Sequence, residues 1–284
     1  MTKVIPHSSP AAYQTRNGTI SRGVILPRLI PVSRQYHTGK FWQRVTDYHF
    51  AARDTVCPLA LLELPRAMLC LPIAFIADCE EFALVAVQGL GQGKNLLVAP
   101  NGSWVGAYIP VRYRSYPFRI AKGNEGQQVL CIDEESGLIN DDASGESIFD
   151  AEGEPSAALT KLMQFLAQYS ASLQMTASIC SHLQKFKLLQ PWPIKRPDGE
   201  TTRTVDGLCR IDEAALNKLS AKNLAALRDV GGLTVAYSQL LSMQHIAPLT
   251  ELLDAHTTAA AQAMPQDLNL DFLNDDGIIS FGNL

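Results

Sequence analysis

The chain has 284 residues, 46% hydrophobic and 18% charged, with a formal net charge of −4. That length and apolar content suit a globular protein with a sizeable core and exclude a disordered chain. The mild acidity leaves no footprint for non-specific nucleic-acid binding, so no nucleic-acid partner is expected.

Taken in chain order, MTKVIPHSSP has no apolar run and does not read as a secretory signal. Short apolar or alternating runs at Gly23–Ile30, Ile73–Ile76, Phe82–Gln88, Asn95–Val98, Trp104–Tyr113 and Gln128–Asp133 predict strands joined by tight turns. Gly89–Lys94 reads as a hairpin loop, and Asn101-Gly102 supplies the next turn. A helix is expected around Leu59–Cys70 despite Pro58 and Pro65. The window Pro58–Ala77 is apolar, but Glu63, Pro65, Arg66 and Pro72 interrupt it, so no membrane insertion is expected.

The character changes after Gly153. Leu159, Leu162, Met163, Leu166, Tyr169 and Leu173, then Ile179, Leu183 and Phe186, recur at helical spacing and predict a long amphipathic helix behind Pro155. A β-excursion follows, with Trp192–Arg196, a Pro197-Asp198-Gly199 turn and Thr201–Ile211. Asp212 and Ser220 are placed as N-caps, each with a hydrophobic staple. Gly231-Gly232 ends one helix, and Leu233–Met243 and Ile246–His256 continue helically. The expected fold is therefore α+β. A β-rich portion (1–153) packs on a mainly helical portion (154–256) that contains a β-hairpin and shares its core. An acidic, mobile tail (257–284) carries apolar residues able to dock a protein partner.

Candidate chemistry is sparse. Gly89, Gly91, Gly93 and Lys94 fail the phosphate-loop pattern, because Gln88 and Asn95 stand where it needs Gly and Ser or Thr. Asp267, Asn269 and Asp271 begin like a calcium loop but lack its turn glycine and its final Glu. The six histidines show no metal spacing, His37 and His49 around Trp42 and Asp47 being the one cluster of interest. No metal ligand and no catalytic residue is assigned, and no cofactor is named. The six cysteines form no CxxC pair and read as buried free thiols of a reducing, cytoplasmic compartment.

The most informative feature is a charge reversal. Residues 101–123 carry Arg112, Arg114, Arg119 and Lys122 without a carboxylate, while residues 133–154 carry nine carboxylates and no base. Strand alternation would put Arg112, Arg114 and Tyr116 on one face. Two readings stay open. The arginines pair with Asp133, Glu134 or Glu135 of a neighbouring strand, or they hold a small anionic or peptide-like ligand. In the second case Arg112, Arg114 and Tyr116 contact the ligand, and Asp133 and Glu134 orient the arginines.

The motifs Asn95-Leu-Leu-Val, Trp104, Tyr108-Ile-Pro110, Arg114-x-Tyr-Pro-Phe118, Leu130-Cys-Ile-Asp133 and Phe149-Asp150-x-x-Gly153-Glu-Pro155 resemble the bacterial SapC family. Leu188-Leu-x-Pro-Trp192, Asp206-Gly207, Ile211-Asp212-Glu and Ala236-Tyr237-x-x-Leu240 continue the resemblance, which covers about residues 25–250. Tyr36 stands where many members have Arg, and the acidic tail lies outside the pattern. The family is named for surface-layer-associated genes, and some members carry transport-permease labels. The absence of a spanning segment argues against a permease. Members are often encoded near outer-membrane (TonB-type) receptors, flavin halogenase-like proteins and cupin-like oxygenases. The resemblance therefore implies a part in uptake or modification of a small molecule or peptide. A non-catalytic binding or accessory protein leads. An enzyme on such a molecule, with or without a metal, is the alternative, and a surface-layer component comes third. Homo-oligomerisation stays open.

Overall fold

The computed structural model describes residues 12–16, 19–23, 29–78, 81–91, 93–122, 127–198 and 201–263. The tail beyond Ala263, with Asp267, Asn269 and Asp271, and part of the Gly23–Ile30 run lie outside the described residues.

The chain opens with an antiparallel pair, β1 (Ala12–Arg16) and β2 (Thr19–Gly23). Next come β3 (Leu29–Pro31), a single helical turn α1 (Arg34–His37) and a two-residue strand β4 (Phe41–Trp42). A 3-10 turn at His49–Ala51 leads into β5 (Val56–Pro58), and a second at Leu61–Glu63 leads into α2 (Leu64–Ala67). Pro65 lies in the first turn of α2, where its missing N–H removes no helical bond. The hairpin β6 (Ile73–Asp78) and β7 (Glu81–Val87) pairs six residues in register, from Ile73↔Ala86 to Asp78↔Glu81. Ile73, Ala74, Phe75 and Ile76 are all buried, so both faces of β6 are covered and its sequence reads as a continuous apolar run.

Residues 95–98 and 104–113 do not form the expected strands. Only a single bridge, Val98↔Trp104, joins them. Val111–Arg114 is instead a helical turn, α3, entered through Pro110, whose carbonyl accepts from the N–H groups of Tyr113 and Arg114. The alternation that suggested a strand is real, since Val111, Tyr113 and Ser115 are buried. It arises because the buried Glu63 captures the Val111 N–H at 2.8 Å and fixes the turn against the protein. Beyond the cis Tyr116–Pro117 bond, β8 (Phe118–Lys122) pairs with β9 (Gln128–Asp133), which pairs in turn with β3. Two short strands, β10 (Ile139–Asn140) and β11 (Glu146–Ser147), flank β4.

The long helix α4 runs from Ala157 to Lys185, about 44 Å at 1.5 Å per residue. Ser156 caps it by accepting the Leu159 N–H at 3.0 Å. Then follow β12 (Leu189–Pro191), the hairpin β13 (Ile194–Asp198) and β14 (Thr201–Val205), and β15 (Leu208–Ile211). Asp212 caps α5 (Glu213–Asn217) and Ser220 caps α6 (Ala221–Asp229). Gly231, at φ +80°, turns the chain into α7 (Gly232–Ser242). The last helix, α8, spans Ile246–Ala263 and so passes beyond His256.

The fold is α+β, with most strands N-terminal and the long helices C-terminal. Its principal sheet has seven strands in the order β12-β15-β6-β7-β5-β1-β2, so strands from both sides of residue 153 hydrogen-bond together. The main apolar cluster combines Phe75, Leu84 and Val87 with Ile179, Leu183, Leu227 and Val235. Among the described residues no helix is long and apolar enough to cross a membrane. The described cysteines, 57, 70, 131, 180 and 209, are free.

Candidate functional site: an arginine-lined recess

The site is built where α3, the start of β8 and the end of β9 meet the segment entering β5. Glu63 anchors one side. Its Oε2 accepts the Ala60 N–H at 2.9 Å, and its Oε1 accepts the Val111 N–H at 2.8 Å and the Tyr108 hydroxyl at 2.9 Å. Burial pushes its carboxyl pKa up, and these donors pull it back. Arg114 is exposed and lies over the Tyr108 ring, 5.5 Å from its centroid, with Nη2 donating to the Tyr108 hydroxyl at 3.4 Å. The Arg114 charge therefore meets the Glu63 carboxylate through one tyrosine.

Asp54 is half-buried, with Oδ2 3.1 Å from the Tyr113 hydroxyl. That hydroxyl also lies 2.9 Å from Gln88 Oε1, which accepts from Asn95 Nδ2 at 3.3 Å as well. Tyr113, Gln88 and Asn95 are buried. Burial raises the Asp54 pKa even though Arg112 and Arg119 both pull it down. Burial also lowers the Arg119 guanidinium to about 10, and the like charge of Arg112 adds to the fall. The two arginines thus repel each other, and both attract the Asp54 carboxylate. Among the described residues neither has an ion pair within 4.0 Å, and the buried Arg119 Nε has no hydrogen-bond acceptor.

Tyr116 closes the rim. Its hydroxyl donates to Asp133 Oδ2 at 3.1 Å, and its ring stacks on Phe50 at 4.1 Å. Asp133 Oδ1 accepts the Glu135 N–H, so both carboxylate oxygens are acceptors. Burial drives the hydroxyl pKa of Tyr169, on α4, well up; the Glu63 charge adds to the rise and that of Arg112 opposes it. Asp54, Arg112, Tyr116, Arg119 and Tyr169 all keep some solvent access, yet desolvation leads every shift resolved among them. These side chains form one cluster of partly exposed, desolvated groups.

Of the five residues expected at the site, Arg112, Tyr116 and Asp133 gather around Arg119. Arg114 engages Tyr108, and Glu134 is exposed in the 3-10 turn that follows β9. Neither arginine forms the ion pair with Asp133, Glu134 or Glu135 that the sequence left open as an alternative. Asp54, Tyr113 and Tyr169 went unrecognised, because their meeting depends on contacts between distant segments. Arg119 belonged to the same basic run and carried a visible signal.

The other candidates have structural partners. The loop that opens at Gly89 brings its backbone against the Lys94 carbonyl, and a side chain at Gly89 would collide with it. His37 is buried, with Nδ1 3.1 Å from Ser33, while its Nε2 has no hydrogen-bond partner among the described residues. His49 holds Asp47 through Nδ1 at 2.7 Å and the Pro100 carbonyl through Nε2 at 3.1 Å, so neither ring nitrogen is free to act as a base. Among the described residues no group of three or more His, Cys, Asp or Glu side chains converges on a metal geometry.

An α+β chain with a cluster of arginine, tyrosine and aspartate side chains beside a sheet edge is the class of protein that emerges. It belongs to the SapC family, which it matches over residues 32–249, a span that contains every residue of the recess. No curated protein and no solved structure matches it.

Proposed function

We propose that this chain is a non-catalytic binding protein that holds a small anionic or peptide-like ligand between Arg112 and Arg119, with Tyr116 at the rim. It serves as a cytoplasmic accessory to an uptake or modification system, a setting that the free thiols, buried at Cys57, Cys131 and Cys180 and half-buried at Cys70 and Cys209, fit. The observation that supports this reading is the buried Arg119 Nε without an acceptor beside a second, unpaired guanidinium. Leaving a guanidinium desolvated and unpaired is costly, and an anion between the two arginines would offset that cost with charge-assisted hydrogen bonds. Asp133 attracts the Arg119 charge but makes no ion pair with it within 4.0 Å, and its oxygens accept from Tyr116 and Glu135.

Native mass spectrometry of freshly purified protein tests the reading, alongside Arg112→Gln and Arg119→Gln. The wild type is expected to retain a small ligand, or to gain thermal stability on adding anions, and each variant to lose that response. The apo variants should melt no lower than apo wild type, since each removes a like-charge repulsion. A wild type that neither retains nor responds to any anion, with variants that melt far lower, would show that the arginines are structural.

A further inference from the structure

Resting on that reading, we propose that the recess selects a singly charged carboxylate ligand and that Asp54 takes up one proton from solvent when it binds. The argument begins with a count of donors. The Tyr113 hydroxyl lies within hydrogen-bond distance of two acceptors, Asp54 Oδ2 at 3.1 Å and Gln88 Oε1 at 2.9 Å. A hydroxyl has one proton and serves one of them. With Asp54 ionised and served by the tyrosine, Gln88 Oε1 keeps only its long bond from Asn95 Nδ2 at 3.3 Å and meets the tyrosine oxygen at 2.9 Å with no proton between them. With Asp54 protonated on Oδ2, the acid donates to the tyrosine oxygen and the tyrosine donates to Gln88, so both contacts are satisfied. The network accommodates the neutral acid better than the carboxylate.

Charge balance then sets the ligand class. Among the described residues, Arg112 and Arg119 bring two positive charges to the recess, and Asp133, an acceptor on both oxygens, brings one negative charge. Ionised Asp54 makes the recess neutral, and neutral Asp54 leaves it with one positive charge. A single negative charge on the ligand can therefore replace that of Asp54. A dianion would leave an excess charge in a desolvated site. A planar carboxylate also matches the guanidinium fork, including the unpartnered Nε–H of Arg119. The remaining titratable groups nearby are Tyr113, Cys57 and Tyr169, whose pKa values burial raises, so they stay neutral, and Glu63, which is occupied by its own three donors. His49, with its own partners Asp47 and Pro100, titrates elsewhere.

An NMR titration following the Arg119 Nε–H resonance tests this, with acetate as the monoanion and sulfate as the dianion, between pH 5.5 and 8. Acetate should bind more tightly than sulfate, and its affinity should fall with rising pH, approaching ~10-fold per pH unit where free Asp54 is ionised. Asp54→Asn mimics the neutral acid and should bind acetate at least as tightly, with the pH dependence gone. That variant also separates any contribution from His49. Sulfate binding as tightly as acetate, a flat pH profile in the wild type, or an unchanged profile in Asp54→Asn would overturn the proton-linked monoanion while leaving anion binding standing. No response to either anion would remove the binding reading as well.

Discussion

At the scale of residues, the polar groups around the recess divide by whether their partners are complete. Glu63 has three donors and Asp133 has one for each oxygen, so they brace the walls. Arg119 Nε and, behind Tyr113, Gln88 Nε2 are buried donors left over, and Arg119 is the residue to test because its donor is charged. The Asp47–His49 pair is a second complete unit and carries a pH dependence of its own. Both ring nitrogens of His49 face acceptors, which only the imidazolium can serve together. The Pro100 carbonyl, and then Asp47, raise the His49 pKa above its ordinary 6.5, while the His49 N–H lowers that of Asp47 below 3.8. A raised histidine stabilises the fold fully below its unfolded value and loses that contribution as pH rises through the folded one. A lowered aspartate contributes above its unfolded value and loses it as pH falls through the folded one. The brace is therefore strongest between about pH 4 and 6.5. The thermal midpoint of wild type should exceed that of His49→Gln most clearly near pH 5.5, and the gap should narrow by pH 8.5. A gap that stays constant over that range would mean a neutral imidazole does the work.

At the scale of elements, α7 shows how a helix can complete a sheet. Gln239, fully buried, accepts the Ile211 N–H of β15 through Oε1 at 2.9 Å and donates to the Ile73 carbonyl of β6 through Nε2 at 3.2 Å. Ser242 accepts the Ile73 N–H at 3.0 Å. These side chains satisfy backbone groups where the β6–β15 ladder stops. Gln239→Leu fills the same volume but orphans one donor and one acceptor, so chemical denaturation should show a loss of roughly 2–5 kcal/mol. A loss below about 1 kcal/mol would mean that water reaches those groups. Such long-range joints are the part of the fold that sequence does not display. Ser156, Asp212 and Ser220 were legible as caps because their chemistry reaches only three residues ahead. The runs that became β6, β7 and β9 were legible by their apolar content. The strands β4, β10 and β11 are two residues each, too short to show a period. Residues 111–115 misled because an i, i+2 burial pattern fits one helical turn held by a distant carboxylate as well as it fits a strand. The basic run pointed to the candidate site, but Asp54 was hidden, since its partners Arg112, Tyr113 and Arg119 lie more than fifty residues away.

At the scale of the molecule, the β-rich and helical portions are joined by hydrogen bonds as well as by apolar contact. Leu208↔Ile76 and Cys209↔Phe75 are neighbouring pairs of one ladder, although residue 153 lies between them in sequence. The helix α4 adds a second joint. The Thr176 hydroxyl accepts the Leu61 N–H at 2.8 Å and the Ser172 hydroxyl accepts the Leu62 N–H at 3.0 Å, holding the 3-10 turn that carries Glu63. The recess depends on this joint, because Glu63 in turn fixes α3 and hence the approach to Arg112. A piece ending at residue 153 would expose the β6 edge and the apolar faces of β6 and β7. A piece beginning at 154 would expose Ile179, Leu183, Leu227 and Val235. Neither loss can be compensated locally, since the buried side of each portion is supplied by the other. Expressed separately, residues 1–153 and 154–263 are expected to aggregate or to pack loosely, with poorly dispersed amide spectra and no acetate response at Arg119. Co-expression should recover a soluble complex with the wild-type response. Two independently dispersed spectra would show instead that the portions are separate domains and that the shared ladder contributes little to folding.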